Sequence, residues 1–70
     1  MGREIAVTIN GRMERIADGS TIAELITRFE EQDLHLIVEL NGAFVYSQQY
    51  PTTVASEGDR IEFVHPEFGG

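Results

Sequence analysis

The chain has 70 residues, of which 41 % are hydrophobic and 24 % charged, so it is long enough for one small globular domain and too short for two. Five arginines and no lysine stand against 12 acidic residues, and the formal net charge of −7 disfavours binding to nucleic acid or to an anionic membrane. The absence of cysteine excludes a disulfide, a thiolate nucleophile and a zinc site with cysteine ligands. No apolar run approaches the roughly 18 residues of a membrane span, and we expect a cytoplasmic protein that is monomeric when free.

The first predicted element is a β-hairpin. Apolar and polar residues alternate over residues 4–9, which is the period of a strand with one buried face. Asn10-Gly11 follows, and this pair readily adopts the positive φ angles of a type I′ turn. We therefore expect a second strand over about residues 12–17, antiparallel to the first.

A helix is predicted next. Thr21 and Glu24 have the spacing of a capping box, in which each side chain accepts a hydrogen bond from the backbone amide of the other residue. Apolar residues then recur at the spacing of one helix face; they are Ile22, Leu25, Ile26 and Phe29. We expect the helix to run to about Gln32. The acidic side chains around that end favour a solvated surface over a cation site; they are Glu30, Glu31 and Asp33.

Three shorter segments complete the predicted sheet. The apolar run over residues 34–40 predicts a third strand, which Asn41-Gly42 ends in a second tight turn. Phe44-Val45 predicts a short return strand, followed by an irregular connection. After a turn at Glu57-Gly58-Asp59, alternation over residues 60–64 predicts the last strand.

This order of elements predicts an α+β fold, in which a mixed sheet of four to five strands packs on one helix. Residues 1–64 would form the domain, and residues 65–70 an extended, flexible tail that ends in Gly69-Gly70. The sheet face that packs against the helix is expected to hold Ile5, Val7, Ile9, Ile16, Val38, Leu40, Ile61 and Phe63.

The opposite face of the sheet is predicted to be open. The residues expected on it, among Glu39 and Glu62, are Ala6, Thr8, Met13, Ile37 and Val64. Ile37 and Val64 would lie beside the root of the tail. Single exposed apolar residues are common and need no function. The alternative is that this cluster, with its acidic rim, docks a partner protein that carries a basic surface.

The last six residues carry the strongest functional signal. Glycine has no Cβ, so Gly69-Gly70 suits passage through a narrow channel and exposes an unhindered carboxylate. Six extended residues reach at most roughly 20 Å, which is enough to deliver that carboxylate into the active site of another protein. We expect Phe68 either to anchor the tail in an apolar channel or to be an ordinary residue of an unordered tail.

The remaining polar and aromatic residues form no catalytic pattern. His35 and His65 are far apart in the sequence, and the simplest interpretation is two surface histidines. The serines lack the Gly-x-Ser-x-Gly pattern of a hydrolase nucleophile. Tyr46 and Tyr50 are expected to pack against a loop, because the net charge disfavours base stacking.

Several motifs occur in a specific order over nearly the whole chain; they are Asn10-Gly11, Asp18-Gly19-Ser20-Thr21, Val38-Glu39-Leu40-Asn41-Gly42, Glu57-Gly58-Asp59-Arg60 and Gly69-Gly70. Together they resemble the ThiS-type sulfur carrier proteins of the ThiS/MoaD family, which have the ubiquitin-like β-grasp fold. Each motif alone is common, but their order and the length of the chain make the resemblance fairly specific.

The resemblance implies a protein co-substrate rather than an enzyme. A ThiF-like adenylating enzyme, using ATP and magnesium, would activate the Gly70 carboxylate beside Gly69. Sulfur from a donor such as a cysteine desulfurase would then give a thiocarboxylate, and a ThiG-like thiazole synthase would receive that sulfur for the thiazole of thiamine. The carrier itself would bind no cofactor and no metal. The residues expected to contact a partner are Phe68, Val64, Ile37, Glu39 and Glu62.

Other functions remain open at this point. A MoaD-like small subunit of molybdopterin synthase shares the fold and the terminus but tends to be longer. A ubiquitin-like protein modifier requires the Gly70 carboxylate to be conjugated to lysines elsewhere. A non-enzymatic interaction domain requires nothing of that carboxylate.

Overall fold

The computed structural model describes residues 2–29, 31 and 33–66, and it begins with the predicted hairpin. Strands β1 (Glu4–Ile9) and β2 (Arg12–Ala17) pair antiparallel along their whole length. At the turn, Asn10 has a φ of 51° and Gly11 a φ of 81°, the positive values that a type I′ turn requires. The predicted hairpin and its bounds are confirmed.

The helix α1 (Ile22–Arg28) begins at the predicted capping box. The hydroxyl oxygen of Thr21 accepts a hydrogen bond from the Glu24 amide at 3.1 Å, and the Glu24 carboxylate accepts one from the Thr21 amide at 2.9 Å. Both amides would otherwise lack a partner at the start of a helix. The predicted apolar stripe packs into the core; its members are Ile22, Leu25, Ile26 and Phe29.

The prediction that the helix runs to about Gln32 is wrong, because α1 ends at Arg28. The amide of Glu31 donates to the carbonyl oxygen of Ile26 at 2.9 Å, which lies five residues back instead of the four of an α-helix. The acidic residues of this segment also oppose the negative end of the helix dipole. Local charge and this wider turn therefore end the helix earlier than the apolar stripe suggests.

Strands β3 (Ile37–Leu40), β4 (Ala43–Val45) and β5 (Arg60–Val64) complete the sheet, with a short 3-10 helix (Ser47–Gln49) after β4. Asn41 and Gly42, between β3 and β4, have φ values of 53° and 84°, so the second Asn-Gly turn is confirmed together with the short return strand. The last strand also has its predicted bounds.

The predicted start of the third strand at Leu34 is wrong, because β3 begins at Ile37. A turn occupies the preceding residues: the Asp33 carboxylate accepts from the His35 amide at 2.8 Å, and the Asp33 carbonyl oxygen accepts from the Leu36 amide at 3.1 Å. An aspartate side chain that bonds the backbone two residues ahead competes with strand pairing. The side chain of Leu34 is consequently 97 % exposed.

The five strands form one mixed sheet in the order β2-β1-β5-β3-β4. The pair β1–β5 is parallel, and the other pairs are antiparallel. With α1 packed on one face, this is the predicted β-grasp arrangement, and β5 lies at the centre of the sheet. No helix in the described part of the chain is long and apolar enough to cross a membrane.

The core lies between α1 and the covered face of the sheet. All eight residues predicted for that face are buried in the core or pack against it; they are Ile5, Val7, Ile9, Ile16, Val38, Leu40, Ile61 and Phe63. Val45 of β4 and Ala55 of the long connection are buried there as well. Neither residue belongs to a long alternating segment, so the sequence pattern does not predict their burial.

Candidate functional site: the central strand and the open face of the sheet

The central strand β5, which leads toward the C-terminus, is held by the two Asn-Gly turns. The side-chain oxygen of Asn10 accepts from the Phe63 amide at 2.7 Å, and that of Asn41 accepts from the Arg60 amide at 2.8 Å. The positive φ of both asparagines lets each close a turn while its side chain reaches β5. The strand is therefore fixed near both of its ends.

The four described residues predicted to bind a partner lie together on the open face. In the pairing of β3 with β5, Ile37 is directly opposite Val64, and Glu39 is directly opposite Glu62. Residues directly opposite each other in a sheet have side chains on the same face. Val64 is 41 % exposed at the end of β5, so the apolar pair lies where the domain ends and the predicted tail begins.

Glu39 and Glu62 place two negative charges opposite each other at the centre of this face. Like charges at directly opposed positions of a sheet are destabilising. Among the described residues, neither carboxylate forms a salt bridge. Complementary charge steers association, so this pair gives the open face a negative potential suited to a basic surface.

Two aromatic residues that were not predicted from the sequence extend this surface. Phe44 on β4 pairs with Glu39, so it lies on the open face, and its side chain is 52 % exposed. Tyr46 is 57 % exposed and meets the Phe44 ring edge to face, with ring centroids 4.6 Å apart. Instead of packing against a loop as predicted, Tyr46 contacts Phe44 and Tyr50 packs against the core.

A usable signal for the aromatic extension was present in the sequence, because Phe44 and Tyr46 flank the buried Val45 with the alternation of a strand. We call the acidic and apolar residues of this face, together with Phe44, the open-face patch; its residues are Ile37, Glu39, Phe44, Glu62 and Val64.

Three predicted site residues lie outside the described part of the chain; they are the anchor Phe68 and the reacting residues Gly69 and Gly70. The flexibility of the predicted tail is likewise not tested. The described chain continues beyond β5 only to Pro66. Their roles, and the division into a domain of residues 1–64 and a tail of residues 65–70, stay predictions.

His65 is an exposed residue, as predicted, but it has two acidic partners. Its Nε2 atom contacts the Glu31 carboxylate, and its Nδ1 atom is 3.3 Å from an Asp33 carboxylate oxygen. The hydrogen bond to Glu31, and next the one to Asp33, raise the pKa of His65 above its usual value. The pKa of Asp33 is lowered, first by the hydrogen bond from the His35 amide and then by His65.

The two carboxylates approach different nitrogens of the His65 ring, and the described residues include no group of three or more side chains placed to hold a metal ion. Glu31 and Asp33 also border an open cleft of about 280 Å³, whose apolar side includes Ile26 and Tyr50.

Comparison with known proteins agrees with this architecture. The model of the ThiS family matches residues 4–70 of the chain. The crystal structure of the thiamine biosynthesis protein (ThiS) from Geobacter metallireducens superposes with a TM-score of 0.83 at 28 % sequence identity, covering 94 % of this chain and 100 % of that one. No curated protein matches the chain. Because the family match runs from the first residue of β1 to Gly70, the chain belongs to the ThiS family.

Proposed function

We propose that the protein is a sulfur carrier of thiamine biosynthesis, and that it serves as a co-substrate of other enzymes rather than as an enzyme. The observation that carries this proposal is the match of the ThiS family over residues 4–70, which includes the Gly69-Gly70 pair. The superposition on a thiamine biosynthesis protein at a TM-score of 0.83 supports it independently, because it compares the fold.

The proposed reacting group is the carboxylate of Gly70. A free α-carboxylate has a pKa of about 3.5 and is fully ionised at neutral pH, so it is a poor electrophile. In the first step, a carboxylate oxygen attacks the α-phosphorus of ATP, pyrophosphate leaves, and an acyl-adenylate forms. In the second step, hydrosulfide adds to the acyl carbon and AMP leaves, which gives the thiocarboxylate. ATP and magnesium belong to the adenylating enzyme.

The open-face patch is the proposed docking surface for that ThiF-like enzyme. The Ile37–Val64 pair supplies apolar area that a partner would cover, and Glu39 and Glu62 supply the negative potential that steers a basic surface toward it. Phe44 adds an exposed aromatic ring beside Glu39, and aromatic residues are frequent energetic centres of interfaces.

The further partners are proposed on the basis of the family. A cysteine desulfurase would provide the sulfur as an enzyme-bound persulfide, and a thiol would reduce its outer sulfur to the hydrosulfide level and itself become part of a disulfide. A ThiG-like thiazole synthase would then accept that sulfur from the thiocarboxylate. Since the chain contains no cysteine, the terminal carboxylate is the natural place on this protein for transferable sulfur.

The adenylation step is tested by ATP–pyrophosphate exchange. The full chain, incubated with a ThiS-adenylating enzyme, Mg²⁺, ATP and labelled pyrophosphate, should support exchange of label into ATP. A chain that lacks Gly70 is the control and should support none. If the full chain supports no exchange while the enzyme is active on its own carrier, the proposed function is contradicted.

A further inference from the structure

The alternation of β5 places His65 on the side of the sheet that faces the helix. Ile61 and Phe63 are buried under α1, and Val64 is exposed on the open face. One residue further, the His65 side chain is again on the helix side, where it meets Glu31 and Asp33. These contacts join positions 32 and 34 residues apart in the sequence.

The early end of α1 is what brings the two carboxylates to this position. The Glu31 amide bonds the Ile26 carbonyl oxygen at 2.9 Å, and Asp33 holds the following turn through the His35 amide at 2.8 Å. The Glu31 amide and the Asp33 side chain are therefore each held by a hydrogen bond. His65 therefore meets an Asp33 carboxylate that a second hydrogen bond already orients.

Pro66 extends the constraint by one residue. Its ring fixes its own φ near −65°, and it restricts the residue before it, His65, to extended conformations. A histidine held at its ring by two carboxylates and followed by proline gives the chain a defined direction as it leaves β5. We call the contact of His65 with Glu31 and Asp33 the tail-root clasp.

The tail-root clasp depends on the charge of the ring. Only the protonated imidazole donates from both nitrogens, whereas the neutral ring has a single N–H. Of the described groups, Glu31 and Asp33 face His65, and His35 contacts Asp33 through its amide. Both carboxylates raise the pKa of His65, so the doubly bonded form is complete below the ordinary value of roughly 6.5 and is lost as pH rises through the raised pKa.

We propose that His65 is a positioning residue: by bridging Glu31 and Asp33 it sets the direction in which the chain beyond Pro66 leaves the domain, and so presents the Gly70 carboxylate to the partner enzymes. This inference rests on the proposed function. Holding a segment in its binding direction before the encounter reduces the entropy that binding must remove. Loss of the clasp should therefore weaken productive binding and leave the chemical step unchanged.

The clasp itself is measured without any enzyme, by NMR titration of the histidine rings in the full chain. The pKa of His65 should lie above roughly 6.5 and should fall in both Glu31→Gln and Asp33→Asn. Asp18→Asn is the matched control, because it removes one exposed carboxylate that has no contact with His65, and it should leave that pKa unchanged. An ordinary His65 pKa that neither variant moves would overturn the proposal.

The positioning role is measured by the kinetics of adenylation at several pH values. The KM of the wild-type carrier should rise with pH as His65 loses its proton. His65→Gln should raise KM by about three- to tenfold with kcat unchanged, and its KM should no longer depend on pH. His65→Arg keeps a permanent cation with donors for both carboxylates, so it should restore a low KM that does not depend on pH.

The two proposals fail in different ways. A wild-type chain that is never adenylated overturns the proposed function. An active wild-type chain whose KM is the same in His65→Gln, at every pH, overturns the positioning role alone.

Discussion

The side-chain oxygen of Asn10 accepts a hydrogen bond of 2.7 Å from the backbone amide of Phe63, 53 residues later in the sequence. The same asparagine closes the β1–β2 turn with a φ of 51°. One residue therefore shapes a local turn and ties it to the central strand. Because β5 continues into His65 and Pro66, this bond contributes to the placement of those two residues.

The Asn10 bond is tested by exchanging the acceptor while keeping the turn. Asn10→Gly preserves the positive φ but leaves the half-buried Phe63 amide without its partner, and it should lower the free energy of unfolding by about 1–2 kcal/mol. Asn10→Asp keeps an acceptor and should be closer to the wild type. Urea denaturation of the three proteins measures the difference, and equal stability of Asn10→Gly and wild type would show that the bond contributes nothing.

The core assignment is tested by two leucine substitutions that remove the same atoms. Leu25 is fully buried in α1, whereas Leu34 is 97 % exposed. Leu25→Ala should lower the free energy of unfolding by about 2–5 kcal/mol, and Leu34→Ala should change it by less than about 0.5 kcal/mol. Thermal and denaturant unfolding give both values; similar effects at the two positions would contradict the packing described.

The docking role of the open-face patch is tested by Val64→Asp. A charge in place of Val64, directly opposite Ile37, should weaken binding of the adenylating enzyme by about tenfold or more. The side chain is 41 % exposed, so the fold should survive. Met13→Asp is the control, since Met13 is 73 % exposed on the same face but on the edge strand β2, two strands away from β5, and it should leave affinity unchanged. Calorimetric Kd values that do not distinguish the two variants would remove the patch from the account.

Removing one of the opposed acids of the patch should have opposite effects on stability and on partner binding. Glu39→Gln relieves the repulsion from Glu62, so stability should rise by a few tenths of a kcal/mol. Association with the adenylating enzyme should become slower and less dependent on salt. Stopped-flow kinetics at two ionic strengths test this, with Asp18→Asn as the charge-matched control. Faster association of Glu39→Gln would mean that these acids repel the partner.

Much of the fold could be predicted because its signals are local. Asn-Gly pairs favour positive φ, the Thr21/Glu24 spacing satisfies two amides at a helix start, and alternation assigns each strand residue to a face. The same alternation correctly placed Ile37 and Val64 on one face. Their direct opposition required the pairing of β3 with β5, which no local pattern specifies.

The predictions that failed concern features that depend on backbone hydrogen bonds or on contacts between distant parts of the chain. The end of α1 depends on a bond from the Glu31 amide to Ile26, and the start of β3 depends on the turn that Asp33 forms with the His35 amide. Neither bond changes the hydrophobic pattern, so periodicity extended both elements too far. The acidic partners of His65 are more than 30 residues away from it, and its isolation in the sequence indicated only a surface residue.

The central claim, that this chain carries sulfur on Gly70, is tested most directly by the intact mass of the protein isolated from its own cells or after reaction with a ThiS-adenylating enzyme, ATP and sulfide. A mass increase equal to the exchange of one oxygen for sulfur, absent when Gly70 is deleted, is the predicted result. A full-length chain that keeps its unmodified mass, beside a control carrier that is converted, would contradict the account.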